Sequence, residues 1–168
     1  MKRLNRIIRI ATTLTMGVLA TYGTAFAQAG SNALTNARGS RIVGVWDVTV
    51  DLYNCDTGDY ISSFPAMHKF ELGGTGQVVP GNSPAVPVHM MVWEYLGGNS
   101  YSSVFKFFRY NPGGQLIGTT VLTNEVWVSE DGAEYHGSGI SELYDLNGNR
   151  VFVAGCPSVS GTRFTAAP

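Results

Sequence analysis

From Ile42 onward, apolar and polar residues alternate along almost the whole chain, and turn-forming residues interrupt the pattern about every 8 to 15 positions. Alternation with a period of two sends successive side chains to opposite faces of an extended strand, so each segment has one face to bury. No window carries a sustained apolar repeat of helical period, which excludes a helical bundle, a Rossmann-type sheet and a repeat solenoid. Candidate strands are Ile42–Asn54, Tyr60–Leu72, Gly76–Pro80, Val88–Leu96, Ser100–Tyr110, Gln115–Val128, Ala133–Tyr144 and Arg150–Gly161. The links are short except for the stretch 80–87 (PGNSPAVP), whose three prolines cannot donate to a ladder. Consecutive strands with short links pair antiparallel in up-and-down order, and eight of them close into a barrel without exposed edges. The expected fold is all-β: an eight-stranded antiparallel up-and-down barrel.

Three links share one design: Asn111-Pro112-Gly113-Gly114, Ser129-Glu130-Asp131-Gly132 and Asp145-Leu146-Asn147-Gly148. Each opens with a side-chain acceptor and ends in glycine, which suits a type I turn closed by a left-handed residue and a G1 bulge. Such three-residue loops set Asn111 opposite Gln115, Ser129 opposite Ala133 and Asp145 opposite Asn149. Odd-numbered residues of the last four strands then form the lumen: Tyr101, Phe105, Phe107, Val121, Trp127, Tyr135, Leu143, Val151 and Val153. Even-numbered Ser102, Lys106, Glu134, His136, Glu142 and Arg150 face water. On the first strand Trp46, Val48, Val50 and Leu52 share a face, and on the second Phe64, His68, Phe70 and Leu72 point inward. The fourth strand is open between two registers, because the Gly97-Gly98-Asn99 link permits either. Its odd register brings in His89, Met91, Trp93 and Tyr95.

The N-terminus is of another kind. Lys2, Arg3, Arg6 and Arg9 precede an uncharged stretch from Ile10 to Phe26 and a small-x-small site, Ala25-Phe26-Ala27. This is the pattern of a secretory signal peptide (residues 1–27), followed by a small, polar, flexible leader (28–41) and a single barrel domain (42–168). Cleavage near Ala27 places the mature chain outside the cell or in a periplasm. Removing 27 of the 168 residues leaves 141, the length of one domain. Four of the 11 basic residues leave with the signal peptide, so seven face 12 acidic ones and the mature net charge is −5. A mildly acidic chain with no basic run argues against nucleic acid and anionic membranes as partners. Five threonines, two glycines and no stop-transfer flank in the uncharged stretch argue against stable membrane insertion. Homo-oligomerisation stays open.

Cys55 and Cys156 are the two cysteines. In an oxidising compartment they most simply pair, closing a loop of about 100 residues worth roughly 4–5 kcal/mol of chain entropy. The alternatives are a free thiol or an intermolecular bridge. Their spacing fits no zinc pattern. Both fall on the outward face of the first and last strands, which a closed barrel makes neighbours.

Gly44-Val45-Trp46, at the start of the first strand, resembles the Gly-x-Trp signature of lipocalins and other calycins. Arg163, in Gly161-Thr162-Arg163-Phe164, is similar to the basic residue that packs across that tryptophan. The resemblance covers Ile42 to Phe164 and implies a lipocalin-like barrel, plugged at the Trp46 end by a cation–π contact. Similar barrels occur in avidin-like binders, bacterial protease inhibitors and cyclases such as allene oxide cyclase.

With Trp46 and Arg163 at one end, strand alternation places Tyr101, Glu125, Trp127 and Tyr135 nearby. An inward Glu125 is either a general base or a structural group at the barrel base, ion-paired with Arg163 or hydrogen-bonded to Tyr101. If the protein is an enzyme, Arg109, Glu125 and Tyr101 are the candidate catalytic groups. The candidate ligand-binding residues are His68, His89, Met91, Trp93, Phe105, Phe107, Arg109 and Thr119. Together they give an aromatic pocket with a few polar groups, and Arg109 at the mouth suits a carboxylate or enolate oxygen. Plainer roles compete: Arg109 as a solvated strand-end cation, His68 as a core histidine bonded to a hydroxyl, and the aromatics as filling. No phosphate loop, metal-ligand set, Ser-His-Asp arrangement or paired-carboxylate motif is present, so no cofactor or metal is expected.

The leading expectation is a barrel that binds a small hydrophobic or amphipathic molecule in its lumen. A cofactor-independent cyclase or isomerase using the same pocket is the alternative. A third is an interaction or inhibitor module with a filled barrel, acting through loops 54–59 and 80–87.

Overall fold

The computed structural model describes residues 39–82 and 86–166, so the segment expected to be a signal peptide (1–27) and all but the end of the expected leader (28–41) lie outside the described residues. Eight strands follow: β1 (Gly44–Tyr53), β2 (Tyr60–Glu71), β3 (Thr75–Pro80), β4 (His89–Gly97), β5 (Ser100–Tyr110), β6 (Leu116–Val128), β7 (Glu134–Tyr144) and β8 (Arg150–Arg163). Each pairs antiparallel with the next, and β1 pairs with β8 to close the barrel. The up-and-down barrel expected from the alternation is the fold.

β1 and β8 meet in a seam where Trp46 stands opposite Arg163. The guanidinium carbon lies 4.2 Å from the indole centroid. Arg163 also donates to the main-chain carbonyls of Val43 (2.8 Å), Gly132 (2.7 Å) and Arg41 (2.5 Å). Trp46 Nε1 donates to the Ile42 carbonyl at 2.8 Å, and Tyr135 meets the indole edge-on. Gly44 has a φ of +136°, and a Cβ there would sit 2.6 Å from the Arg163 guanidinium, so the plug needs glycine at this position. Phe70, Trp93 and Tyr101 complete an aromatic floor with Tyr135. Just past the other end of the seam, Cys55 and Cys156 form the disulfide, with their Cα atoms 5.1 Å apart.

Two of the three glycine-ended loops have the expected geometry. Asn111 N donates to Gln115 O and Asp145 N to Asn149 O, both at 2.9 Å, with Gly114 and Gly148 left-handed. The third does not: Ser129 N donates to Glu134 O at 2.8 Å, so that loop holds four residues rather than three.

A second departure lies in β6. Tyr110 pairs with Leu116, but Arg109 pairs with Gly118, so Ile117 is bulged out of the ladder. The bulge needs Gly118, because a Cβ there would collide with the Tyr144 carbonyl oxygen. The inward face of β6 is therefore the even one: Thr120, Leu122, Asn124, Val126 and Val128. Ile117, Thr119, Val121, Glu125 and Trp127, expected in the lumen, point outward. The four-residue loop then shifts the parity back, so Tyr135 and Leu143 are inward on β7 as expected. Register shifts in β8 break the expected parity there: Val151 and Val153, expected in the lumen, are exposed, and Val153 pairs with Glu142 on the outer face. Leu72, beyond the end of β2, is exposed as well. On β4 the odd register holds, with His89, Met91 and Trp93 buried.

Candidate functional site

Above the aromatic floor the lumen contains a cavity of about 30 Å3, space on the scale of about one or two water molecules. Its wall is mainly apolar, from Val50, Phe64, Ala66, Val78, Phe105, Leu122 and Val159, and it carries three polar side chains: His68, His89 and Asn124.

His68 points inward because even residues of β2 share the face of Ala66 and Phe70. Its Nδ1 lies 2.5 Å from the Tyr135 hydroxyl. Burial pushes the Tyr135 phenol well above its usual range, so it keeps its proton and donates to Nδ1. The single N–H proton of the neutral ring then sits on Nε2. Burial, with a smaller contribution from nearby His89, lowers the His68 pKa to about 3.

His89 opens β4, is 8% exposed, and neither of its ring nitrogens has a hydrogen-bond partner among the described residues. Burial lowers its pKa to about 4. Its ring stacks on Phe107 with centroids 3.8 Å apart and planes 8° from parallel. Asn124 Oδ1 and Ser103 Oγ are likewise buried and unpartnered. Stranding such atoms in an apolar interior costs about 1–3 kcal/mol each unless another molecule reaches them.

The His89–Phe107 stack separates this chamber from a second space. On its outer side Phe107 lines a mouth pocket of about 430 Å3 with Val86, Pro87, Arg109, Tyr110 and Ile117. Arg109 is half-buried there, and no ion pair among the described residues involves it.

Of the residues expected to form the site, His68, His89 and Phe105 line the chamber and Phe107 and Arg109 the mouth. Met91 and Trp93 point inward but do not reach the chamber wall. Trp93 Nε1 donates to the carbonyls of Glu71 and Thr75, at 3.1 and 3.0 Å, which makes it part of the floor. Tyr101 is fully buried against Trp93 and Tyr95, and burial raises its pKa. Thr119 and Glu125 lie on the outer surface, so neither contributes to the lumen. Asn124 takes the inward place on β6, and Tyr135, expected as wall, is the hydroxyl partner of His68. Among the described residues, no group of three or more His, Cys, Asp or Glu side chains is placed to hold a metal ion. Comparison with protein-family models, curated proteins and solved structures returned no match to this chain.

Proposed function

We propose that this protein is an exported, lipocalin-like binder of one small, uncharged molecule with an apolar body and a polar group, held in the lumen. Export is supported by the basic, apolar and small-residue pattern of residues 1–27, and the disulfide is compatible with an oxidising compartment. The calycin relationship rests on Gly44-Val45-Trp46 and the Arg163 stack.

The observation that carries the reading is the set of unpartnered polar atoms of His89 and Asn124 on an otherwise apolar wall. A ligand oxygen that accepts from the His89 ring N–H removes a standing desolvation cost, which an all-apolar molecule does not. No charged side chain lines the chamber, and both histidines are neutral at physiological pH, so a net charge on the buried end is disfavoured. The chamber by itself has room for about one or two water molecules, so a ligand displaces the His89–Phe107 stack and extends into the mouth, where Arg109 receives a polar, uncharged end.

A side-chain NMR titration with cyclohexanone, against cyclohexane as the control, tests this. Cyclohexanone should shift the His68, His89 and Asn124 signals saturably and more strongly than cyclohexane. Filling the chamber with Leu122→Trp should abolish the effect in a protein that is still folded by circular dichroism. Equal shifts from both compounds, or shifts that survive Leu122→Trp, contradict the reading.

A second reading has its own observation. The Tyr135–His68 hydrogen bond places a proton donor and acceptor beside the chamber, as a cofactor-independent cyclase or isomerase needs. Release of a rearranged product from a bound carbonyl compound, lost in Tyr135→Phe, distinguishes it from simple binding.

A further inference from the structure

Of the three tryptophans, Trp46 and Trp93 are buried, while Trp127 is 45% exposed on the outer face of β6. It pairs with Ser100 on β5 and His136 on β7. A depression lies on each side of it, and both share Trp127 and Ser100. One, of about 360 Å3, runs over Glu125, His136 and Ser138. The other, of about 440 Å3, runs over Asn99, Glu130 and Arg41. Glycines line both, Gly137 in the first and Gly97 and Gly98 in the second, so little side-chain bulk stands over the approaches to the indole.

We propose that Trp127 is the platform of an external binding site for a neutral saccharide, lying across the indole with one sugar unit in each depression. A pyranose has a flat C–H face that stacks on an aromatic ring and a rim of hydroxyls that both donate and accept. The surroundings of Trp127 offer both kinds of partner: carboxylate acceptors on Glu125 and Glu130, a hydroxyl on Ser138, and amide and imidazole groups on Asn99 and His136.

Asn99 is held in place beforehand. Arg41 donates to its Oδ1 at 2.9 Å, and its main-chain carbonyl accepts from Val128 N at 3.0 Å. With Oδ1 occupied by Arg41, the amide Nδ2 is left as a donor for a sugar hydroxyl. Such pre-ordering lowers the entropy lost on binding.

Two other ligand classes fit less well. A quaternary ammonium is best held by a cage of several aromatic faces, and among the described residues Trp127 is the one Phe, Tyr or Trp side chain lining either depression. A polyanionic glycan meets repulsion from Glu125 and Glu130. The site is on the outside of the barrel and does not depend on what the lumen holds.

Tryptophan fluorescence tests it directly, since the buried Trp46 and Trp93 leave Trp127 as the ring accessible to acrylamide. Cellohexaose, a neutral and flat oligosaccharide, should protect the emission from acrylamide quenching saturably. The same titration followed by calorimetry should weaken at least about tenfold in Trp127→Ala, less in Trp127→Phe, and several-fold in Asn99→Ala. Thermal midpoints should stay near wild type, because the ring packs on the surface. Calorimetric binding that persists within about twofold in Trp127→Ala overturns the proposal. So does failure of cellohexaose, chitohexaose and laminarihexaose alike, or protection by tetramethylammonium alone.

Discussion

His89 and Phe107 lie ring on ring, 3.8 Å apart, His89 lining the lumenal chamber and Phe107 the mouth pocket. Continuing the β4–β5 register, in which Met90 pairs with Lys106, sets the two directly opposite each other. The stack therefore follows from strand pairing alone. What strand pairing does not require is a histidine there, with both nitrogens unpartnered.

Replacing His89 by phenylalanine keeps the stack and removes the two stranded nitrogens. Stability should rise by about 1–3 kcal/mol, while cyclohexanone affinity falls at least about tenfold. Thermal denaturation paired with the NMR titration reads both effects. A variant that loses stability and keeps its affinity shows His89 to be a packing residue.

Stability should fall on mild acidification. The pKa values of His68 and His89 drop from 6.5 to about 3 and about 4 on folding. Above pH 6.5 both states are neutral and stability is flat. Below it the unfolded chain takes up protons that the folded chain refuses, costing at most about 1.4 kcal/mol per pH unit for each histidine. The loss levels off only below the folded values. Asp131, Glu142 and Asp145 are held below the usual carboxylate range by hydrogen bonds from Ser129, Arg150 and Asn149, and they add loss in the same direction at lower pH. Urea midpoints should therefore be lower at pH 5 than at pH 7.5, and the difference should shrink in a His68→Gln, His89→Phe double variant. An equal difference in that variant would place the pH dependence elsewhere.

Arg163→Ala removes the cation–π contact and three hydrogen bonds to main-chain carbonyls at the barrel floor. The expected loss is about 3 kcal/mol, measured by urea unfolding. Arg163→Lys should recover only part of it, because an ammonium cannot reproduce the guanidinium's planar fork. Full recovery with lysine would reduce the plug to a charge effect.

Reducing the Cys55–Cys156 bridge frees a loop whose ends are 101 residues apart and should lower the thermal midpoint by several degrees. An unchanged midpoint would mean that the β1–β8 seam closes equally well without it.

The barrel, the seam and the disulfide were legible because each rests on local chemistry. Alternation marks strands, turn residues mark links, and the parity of Trp46, Arg163, Cys55 and Cys156 follows from both. The inner face of β6 was not, because two deviations cancel: Ile117 bulges out before the strand and Ser129–Glu134 spans one residue more after it. Flanking strands then read correctly while β6 reads inside out. Two signals pointed to the right face. Gly118 breaks an otherwise apolar and β-branched run, as bulge glycines do, and the odd parity placed the Glu125 carboxylate in an apolar lumen. With the even parity, Asn124 enters the chamber and Trp127 reaches the outer surface. The pairing of Tyr135 with His68 joins residues 67 positions apart, which no local pattern encodes.

The central claim is that the chamber around His68, His89 and Asn124 holds a small molecule. Native mass spectrometry of protein purified from its own host's exported fraction, compared with the same sample after denaturation, tests it most directly. The account predicts a non-covalent added mass that is lost on denaturation and absent from the Leu122→Trp variant. A bare polypeptide mass, together with no chamber shifts from cyclohexanone, would contradict it and assign the filled barrel to protein interaction through its outer surface.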